Sequence, residues 1–180
     1  MNLKRLFEAQ KVLRDRIDYN EPDRFDKLIL ALLVELGECA NEWRGFKFWS
    51  KDQKPRVKGK YLKYDCECNG GNRWVEKNPL LEEYVDGLHF ILELGIELEI
   101  PESGDCEFAE IYCGDEPNVT DHFILIFQLA QLETYEFGQW QELFIEYVRL
   151  GQMLGFTWEE VEQAYFEKNA ENHARQERGY

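Results

Sequence analysis

Two stretches of this chain are apolar around most of a helix's girth, yet each carries two acidic residues three positions apart. ILALLVELGECANEW holds Glu35 and Glu38, and LLEEYVDGLHFILELG holds Glu83 and Asp86. Residues at i and i+3 lie on nearly one face of an α-helix. Leu32, Leu33 and Leu36 surround Glu35; Leu80, Leu81, Val85, Leu88, Phe90, Ile91 and Leu94 wrap the second pair. Helices this apolar pack centrally, where a carboxylate needs a partner or a metal. Four acidic groups facing one another from two packed helices repel unless a hard cation sits between them. Such a donor set suits Mg²⁺ acting on phosphates. The competing reading is a solvated acidic stripe, which Glu42 extends within roughly 60° of arc. Glu82 is the neighbour expected to face solvent. His89, three residues after Asp86, echoes the Glu-x-x-His of di-iron bundles. That element occurs once, so His89 reads as a structural or supporting histidine.

The rest of the chain is also helical in period. Leu3, Leu6, Phe7, Val12, Leu13 and Ile17 mark a first helix, and the Glu35 helix begins after Pro22-Asp23. Pro79 opens the Glu83 helix, which runs to about Leu98. Thr120 or Asp121 caps a fourth helix through about Phe137, and Gly138 breaks it from a fifth through Leu154. Thr157 and Glu160 form a capping box for a last helix ending near Gly179. Residues 51–78 are Lys-rich and then Cys- and Gly-rich, an irregular insertion with room for a small hairpin. Residues 101–117 form a second, acidic irregular stretch. Strand-like alternation is nearly absent elsewhere. The expected fold is all-α: one multi-helix domain over residues 1–180, interrupted between its two acidic helices.

A formal charge of −15, from 36 acidic against 21 basic residues, disfavours nucleic acid and membrane surfaces as partners. A compact anionic substrate remains compatible if metal and local cations neutralise it. The apolar runs 28–34 and 123–127 are too short to span a bilayer, and MNLKRLFEAQ lacks a signal-peptide core. Five cysteines without a disulfide pattern point to a reducing cytoplasm. Cys39 reads as a buried small hydrophobe. Cys66, Cys68, Cys106 and Cys113 offer four thiolates to a structural zinc, although Cys-x-Cys departs from zinc-ribbon spacing.

Cations and aromatics complete a candidate phosphate and base site. Tyr165, Lys168, Asn172 and Arg175 share one face of the last helix, where two cations flanking an amide suit phosphate oxygens. The alternative is a polar terminal helix complementing its own dipole. Lys47 and Trp49, in Phe46-Lys47-Phe48-Trp49-Ser50, join an aromatic to a cation for base stacking and phosphate neutralisation, unless they pack a helix end. Gln10 is the one amide on the first helix and has the groups to read a base edge.

In this order, the motifs resemble the all-α nucleoside triphosphate pyrophosphohydrolases, specifically their dimeric dUTPase branch, and more distantly the MazG-like enzymes. The carriers are Glu35-Leu36-Gly37-Glu38, Glu83-Tyr84-Val85-Asp86, Asn41-Glu42-Trp43-Arg44-Gly45-Phe46-Lys47-Phe48-Trp49, and the run from Tyr165 to Gly179-Tyr180. Forty-five positions separate Glu38 from Glu83, more than in compact MazG-like members. The resemblance implies two or more Mg²⁺ ions on Glu35, Glu38, Glu83 and Asp86, with Glu35 or Glu38 orienting the attacking water. It implies phosphate contacts from Lys168, Asn172 and Arg175, and nucleoside contacts from Trp49 and Tyr180. The expected reaction is hydrolysis of dUTP, and of dUDP, to dUMP, with pyrophosphate released from the triphosphate, by a homodimer that sanitises the nucleotide pool. The alternatives are the same chemistry on dCTP or a damaged nucleotide, and a non-catalytic helical zinc-binding scaffold. The aromatic residues Tyr135, Phe137, Trp140, Phe144 and Tyr147 serve either a dimer interface or the core.

Overall fold

The structure is a computed structural model and describes residues 3–65, 71–100, 118–131 and 137–179. Its elements in chain order are α1 (Leu3–Ile17), α2 (Arg24–Trp43), β1 (Gly59–Asp65), β2 (Gly71–Lys77), α3 (Pro79–Glu97), α4 (Val119–Leu129), α5 (Phe137–Met153) and α6 (Trp158–Glu177). The all-α expectation holds. Among the described residues, only the insertion departs from it: β1 and β2 pair antiparallel, from Gly59 opposite Lys77 to Asp65 opposite Gly71. Among the described residues, no helix is long and apolar enough to cross a membrane.

Helix ends follow local chemistry. Asn78 caps α3, accepting from the Leu81 amide at 3.2 Å, and Pro79 at the first turn needs no amide partner. The capping box of α6 is formed: Thr157 Oγ1 accepts from Glu160 N at 3.3 Å, and Glu160 Oε2 accepts from Thr157 N at 2.9 Å. The α4 cap is neither Thr120 nor Asp121 but Asn118, whose Oδ1 accepts from both their amides. Asn outranks Thr at this position because its carbonyl reaches two amides at once. The α4 helix also stops at Leu129, short of Phe137.

α3 is the hub. It packs against α1, α2, α5 and α6, and eleven of its residues are buried. Trp140, Phe144 and Tyr147 of α5 are fully buried against it, so these aromatics belong to the core. Tyr135 lies outside the described residues, as does the side chain of Phe137. Tyr84 and Tyr147 stack at 4.6 Å, and each hydroxyl donates to the other's carbonyl, at 3.0 and 2.6 Å. The clasp requires glycine at two positions: a Cβ on Gly87 would strike the Tyr147 hydroxyl, and one on Gly151 the Tyr84 hydroxyl. Gly87 therefore sits beside Asp86 for packing reasons. The clasp sets the rotation of α3, and with it the direction in which Glu83 points.

Candidate functional site

α2 and α3 form the most extensive helix pairing in the fold, and their facing surfaces carry the acidic motifs. Glu35, Glu38 and Glu83 each place a carboxylate oxygen within 4.8 Å of the other two. Glu35 and Glu83 are partly buried and Glu38 is exposed, so the cluster lines an open cleft. Burial, then the charges of Asp86 and Glu38, push the Glu35 carboxyl up to about 7. Burial, then Asp86, Glu38, Glu35 and Glu82, push Glu83 up to about 7 as well. A hard cation between these carboxylates would relieve that repulsion. The donors are all hard carboxylate oxygens, which fits Mg²⁺ and not a soft metal.

Asp86 faces the same region but is held from another side. Its Oδ2 accepts from Lys168 Nζ at 2.6 Å, and Lys168 also reaches Glu82 Oε1 at 3.4 Å. Burial still raises the Asp86 pKa, because Lys168 offsets it only in part. Burial opposes the Lys168 ammonium, but the charge and hydrogen bond of Asp86 outweigh it and hold that pKa above the usual lysine value. The two helices and α6 thus meet at one charged centre. Arg175, two turns further along the Lys168 face, donates to Glu171 at 2.6 Å and lowers the Asp86 pKa through its charge. Asn172 lies between them, half-buried.

Glu82 is only partly exposed and is held by two lysines. Lys77, at the end of β2, donates to its Oε2, and Lys168 lies at its Oε1. Burial raises the Glu82 pKa, but these lysines more than offset that, leaving it below the usual carboxylate range. Glu42 pairs with Arg56 at 3.0 Å and so stands outside the carboxylate trio.

The aromatic segment after α2 is not core. Phe48 is 86% exposed and Trp49 65%, and Trp49 meets Phe46 and Phe48 edge-on at 5.7 and 5.1 Å. Lys47 donates to Asn41 and sits 5.7 Å from the Phe46 ring. These groups remain open to a base.

Gln10 has a different environment from the one its isolation in the sequence suggests. It is buried, with Nε2 donating to Glu93 at 2.9 Å and Oε1 accepting from Tyr165 at 2.9 Å. Glu93 also accepts from Arg24, and Arg14 lies near it, so both ends of the amide belong to an ion-pair network joining α1, α2, α3 and α6. Tyr165 likewise belongs to the core and not to the phosphate face. Tyr180, Cys66, Cys68, Cys106 and Cys113 lie outside the described residues. Cys39 is a free, buried thiol whose pKa burial raises.

Two polar residues behind the acidic centre were not marked as ligand groups by the sequence. His89 stacks on Tyr165 at 4.3 Å and donates from Nδ1 to the Val85 carbonyl at 2.9 Å, since a carbonyl can only accept. Burial lowers its pKa to about 4, so the ring is neutral and Nε2 is a bare acceptor. That nitrogen has no partner among the described residues. The Asn169 amide nitrogen, beside the Tyr165 hydroxyl, also makes no hydrogen bond of ordinary geometry. His89 is 5% exposed and Asn169 7%. The only signal in the sequence was position: one is a turn from Asp86, the other adjoins Lys168.

The chain matches a family model described as dUTPase over residues 2–64 and 71–180. Among curated proteins, none matches it.

Proposed function

Because this chain belongs to the dUTPase family, and is on that ground a nucleoside triphosphate diphosphatase, we propose that it hydrolyses dUTP to dUMP and pyrophosphate with Mg²⁺ held by Glu35, Glu38, Glu83 and Asp86. The observation that carries the proposal is the trio of carboxylates converging within 4.8 Å from two helices, beside a lysine-held aspartate. Held by these four carboxylates, Mg²⁺ would supply Lewis-acid chemistry, polarising phosphoryl oxygens and making water a better nucleophile. Glu35 or Glu38 is the candidate to orient the attacking water and take its proton, since both place a carboxylate oxygen in the converging trio. The water oxygen forms a bond to phosphorus as the α–β bridging bond breaks, and the electron pair leaves with pyrophosphate. Lys168, Asn172 and Arg175 bind the departing phosphates, and Trp49 with Lys47 covers the nucleoside side. Gln10 is left out of this set because both ends of its amide are engaged. Membership in an enzyme family displaces the reading as a non-catalytic zinc scaffold.

His89 and Asn169 favour uracil over cytosine in this scheme. Uracil presents an N3–H donor and an O4 acceptor; cytosine reverses both. The acceptor at His89 Nε2 and the N–H of the Asn169 amide not directed at the Tyr165 hydroxyl would complement the first and oppose the second. A panel of deoxynucleoside triphosphates and dUDP tests this. Pyrophosphate release is expected from dUTP with Mg²⁺, and none with EDTA. Asn169→Leu is expected to cut kcat/KM for dUTP by about 10–100-fold and leave dCTP nearly unchanged. An unaltered dUTP:dCTP ratio would remove Asn169 from base recognition; equal turnover of all bases by the wild type would overturn the uracil assignment.

A homodimer is part of the same proposal. With the α5 aromatics buried, the surface suited to it lies on α2 and α4, where Leu30 (63% exposed), Val34, Ile124 and Leu125 face outward. Leu30→Glu combined with Val34→Glu is expected to halve the mass seen by light scattering without unfolding the chain. A wild-type monomer, or a variant that stays dimeric, would refute that placement.

A further inference from the structure

The basic insertion has no part in the chemistry above, yet it is rooted beside it. Between positions 51 and 60 the chain carries Lys51, Lys54, Arg56, Lys58 and Lys60 against the single acid Asp52, in a protein of formal charge −15. All five cations are exposed. Arg56 is paired with Glu42, and Lys60 lies 3.6 Å from Glu76. Lys51, Lys54 and Lys58 have no carboxylate partner among the described residues, so their charge acts outward.

Their position is fixed by backbone bonds to both acidic helices. The Arg56 amide donates to the Glu42 carbonyl at 3.0 Å, and the Leu80 amide donates to the Arg56 carbonyl at 3.1 Å. Arg44 and Ser50 both donate to the Asp52 carbonyl, at 2.7 and 2.9 Å. Glu42 is one turn beyond Glu38, and Leu80 is one turn before Glu83. A helical turn rises about 5.4 Å, and two extended residues span at most ~7 Å. Lys54 and Lys58 therefore stand within one to two Debye lengths of the cleft at physiological salt, and well inside the ~30 Å screening length of 0.01 M salt.

We infer that Lys51, Lys54 and Lys58 form an electrostatic guide that draws the nucleotide's polyphosphate toward the carboxylate cleft through the repulsive field of the protein. The inference rests on the proposed function for the identity of the anion. An acidic enzyme with an acidic site repels its own substrate, and a few cations at the rim of a cleft raise the local substrate concentration. Guidance of this kind acts on capture and not on the chemical step, so it appears in kcat/KM and leaves kcat alone.

The test is the full-length triple variant Lys51→Gln, Lys54→Gln, Lys58→Gln, assayed on dUTP with Mg²⁺ from low salt to about 0.5 M. All three side chains are exposed and outside helices and strands, so folding is not at issue. At low salt the variant's kcat/KM is expected to be about 3–10-fold below wild type with kcat unchanged, the two proteins converging as salt rises. Superimposable curves at every salt concentration overturn the inference. So does a kcat that falls in step with kcat/KM, since the lysines would then act in the reaction itself. If wild type fails to turn over dUTP, the functional reading fails separately. The guide is then read from the affinity for Mg²⁺–tripolyphosphate at low salt, which must weaken in the variant for the inference to stand.

Discussion

Glu35→Gln is expected to lower dUTP turnover by about 10³-fold or more while raising the melting temperature of the metal-free protein at pH 8. Loss of activity with a gain in stability is not what a structural residue gives. It follows here because Glu35 is half-buried against Leu32 and Leu36 and faced by the charges of Asp86, Glu38 and Glu83. Its ionised form is a strained component of the fold until a cation arrives, and an amide of the same shape removes the repulsion. Glu38→Gln should lose comparable activity with little gain in stability, because Glu38 is solvent-exposed. Steady-state assays and thermal denaturation in EDTA measure both. Turnover above about a tenth of wild type in the Glu35 variant would exclude it as both ligand and base.

The second large effect is on pH. Without metal, Glu35 and Glu83 titrate near 7 in the folded protein, against 4.5 for the free side chain. A raised folded-state pKa means the native state holds its protons longer than the unfolded chain. The associated stability is complete below about 4.5 and is lost as pH climbs through about 7. Asp86, also raised, acts in the same direction. His89 acts oppositely: its lowered pKa contributes stability above about 6.5 that disappears as pH falls toward 4. Comparison with a Glu35→Gln, Glu83→Gln double variant isolates the carboxylates. Relative to that variant, wild-type protein in EDTA is expected to lose about 2 kcal/mol between pH 5 and 8, after discounting for partial solvent exposure and mutual coupling, or ~4–8 °C. Saturating Mg²⁺ should abolish the difference. Parallel melting curves for the two proteins in EDTA would sink the proposal that these side chains share one site.

The local parts of this molecule were readable from the sequence, and the long-range ones less so. Apolar period located the six helices of the described residues, and Thr157 with Glu160 announced the last of them, because caps and stripes depend on neighbours within one turn. The meeting of Glu35, Glu38 and Glu83 was also legible, since acids on two nearly all-apolar helices have few places to face. Pairing between helices was not. Nothing near Gln10 reveals that Glu93, 83 residues away, takes its amide hydrogen. Glu82 looked like a surface residue because the hairpin that brings Lys77 back to it gives no periodic signal. The α5 aromatics suited interface or core equally, and only the burial of Trp140, Phe144 and Tyr147 decides for core. Asn118, Thr120 and Asp121 offer the same capping chemistry within three residues, and only the backbone geometry selects Asn118.

The reciprocal bond between Tyr84 and Tyr147 carries a consequence for how this enzyme can vary. α5 supplies no acid and no phosphate ligand, yet one of its phenols acts as a stop that keeps the central helix from rolling about its own axis. A roll of one residue step, about 100°, would swing Glu83 out of the cleft altogether. Changes at position 147 or 151 would therefore disturb the carboxylate trio, and with it the magnesium affinity proposed for it, although neither position belongs to the trio.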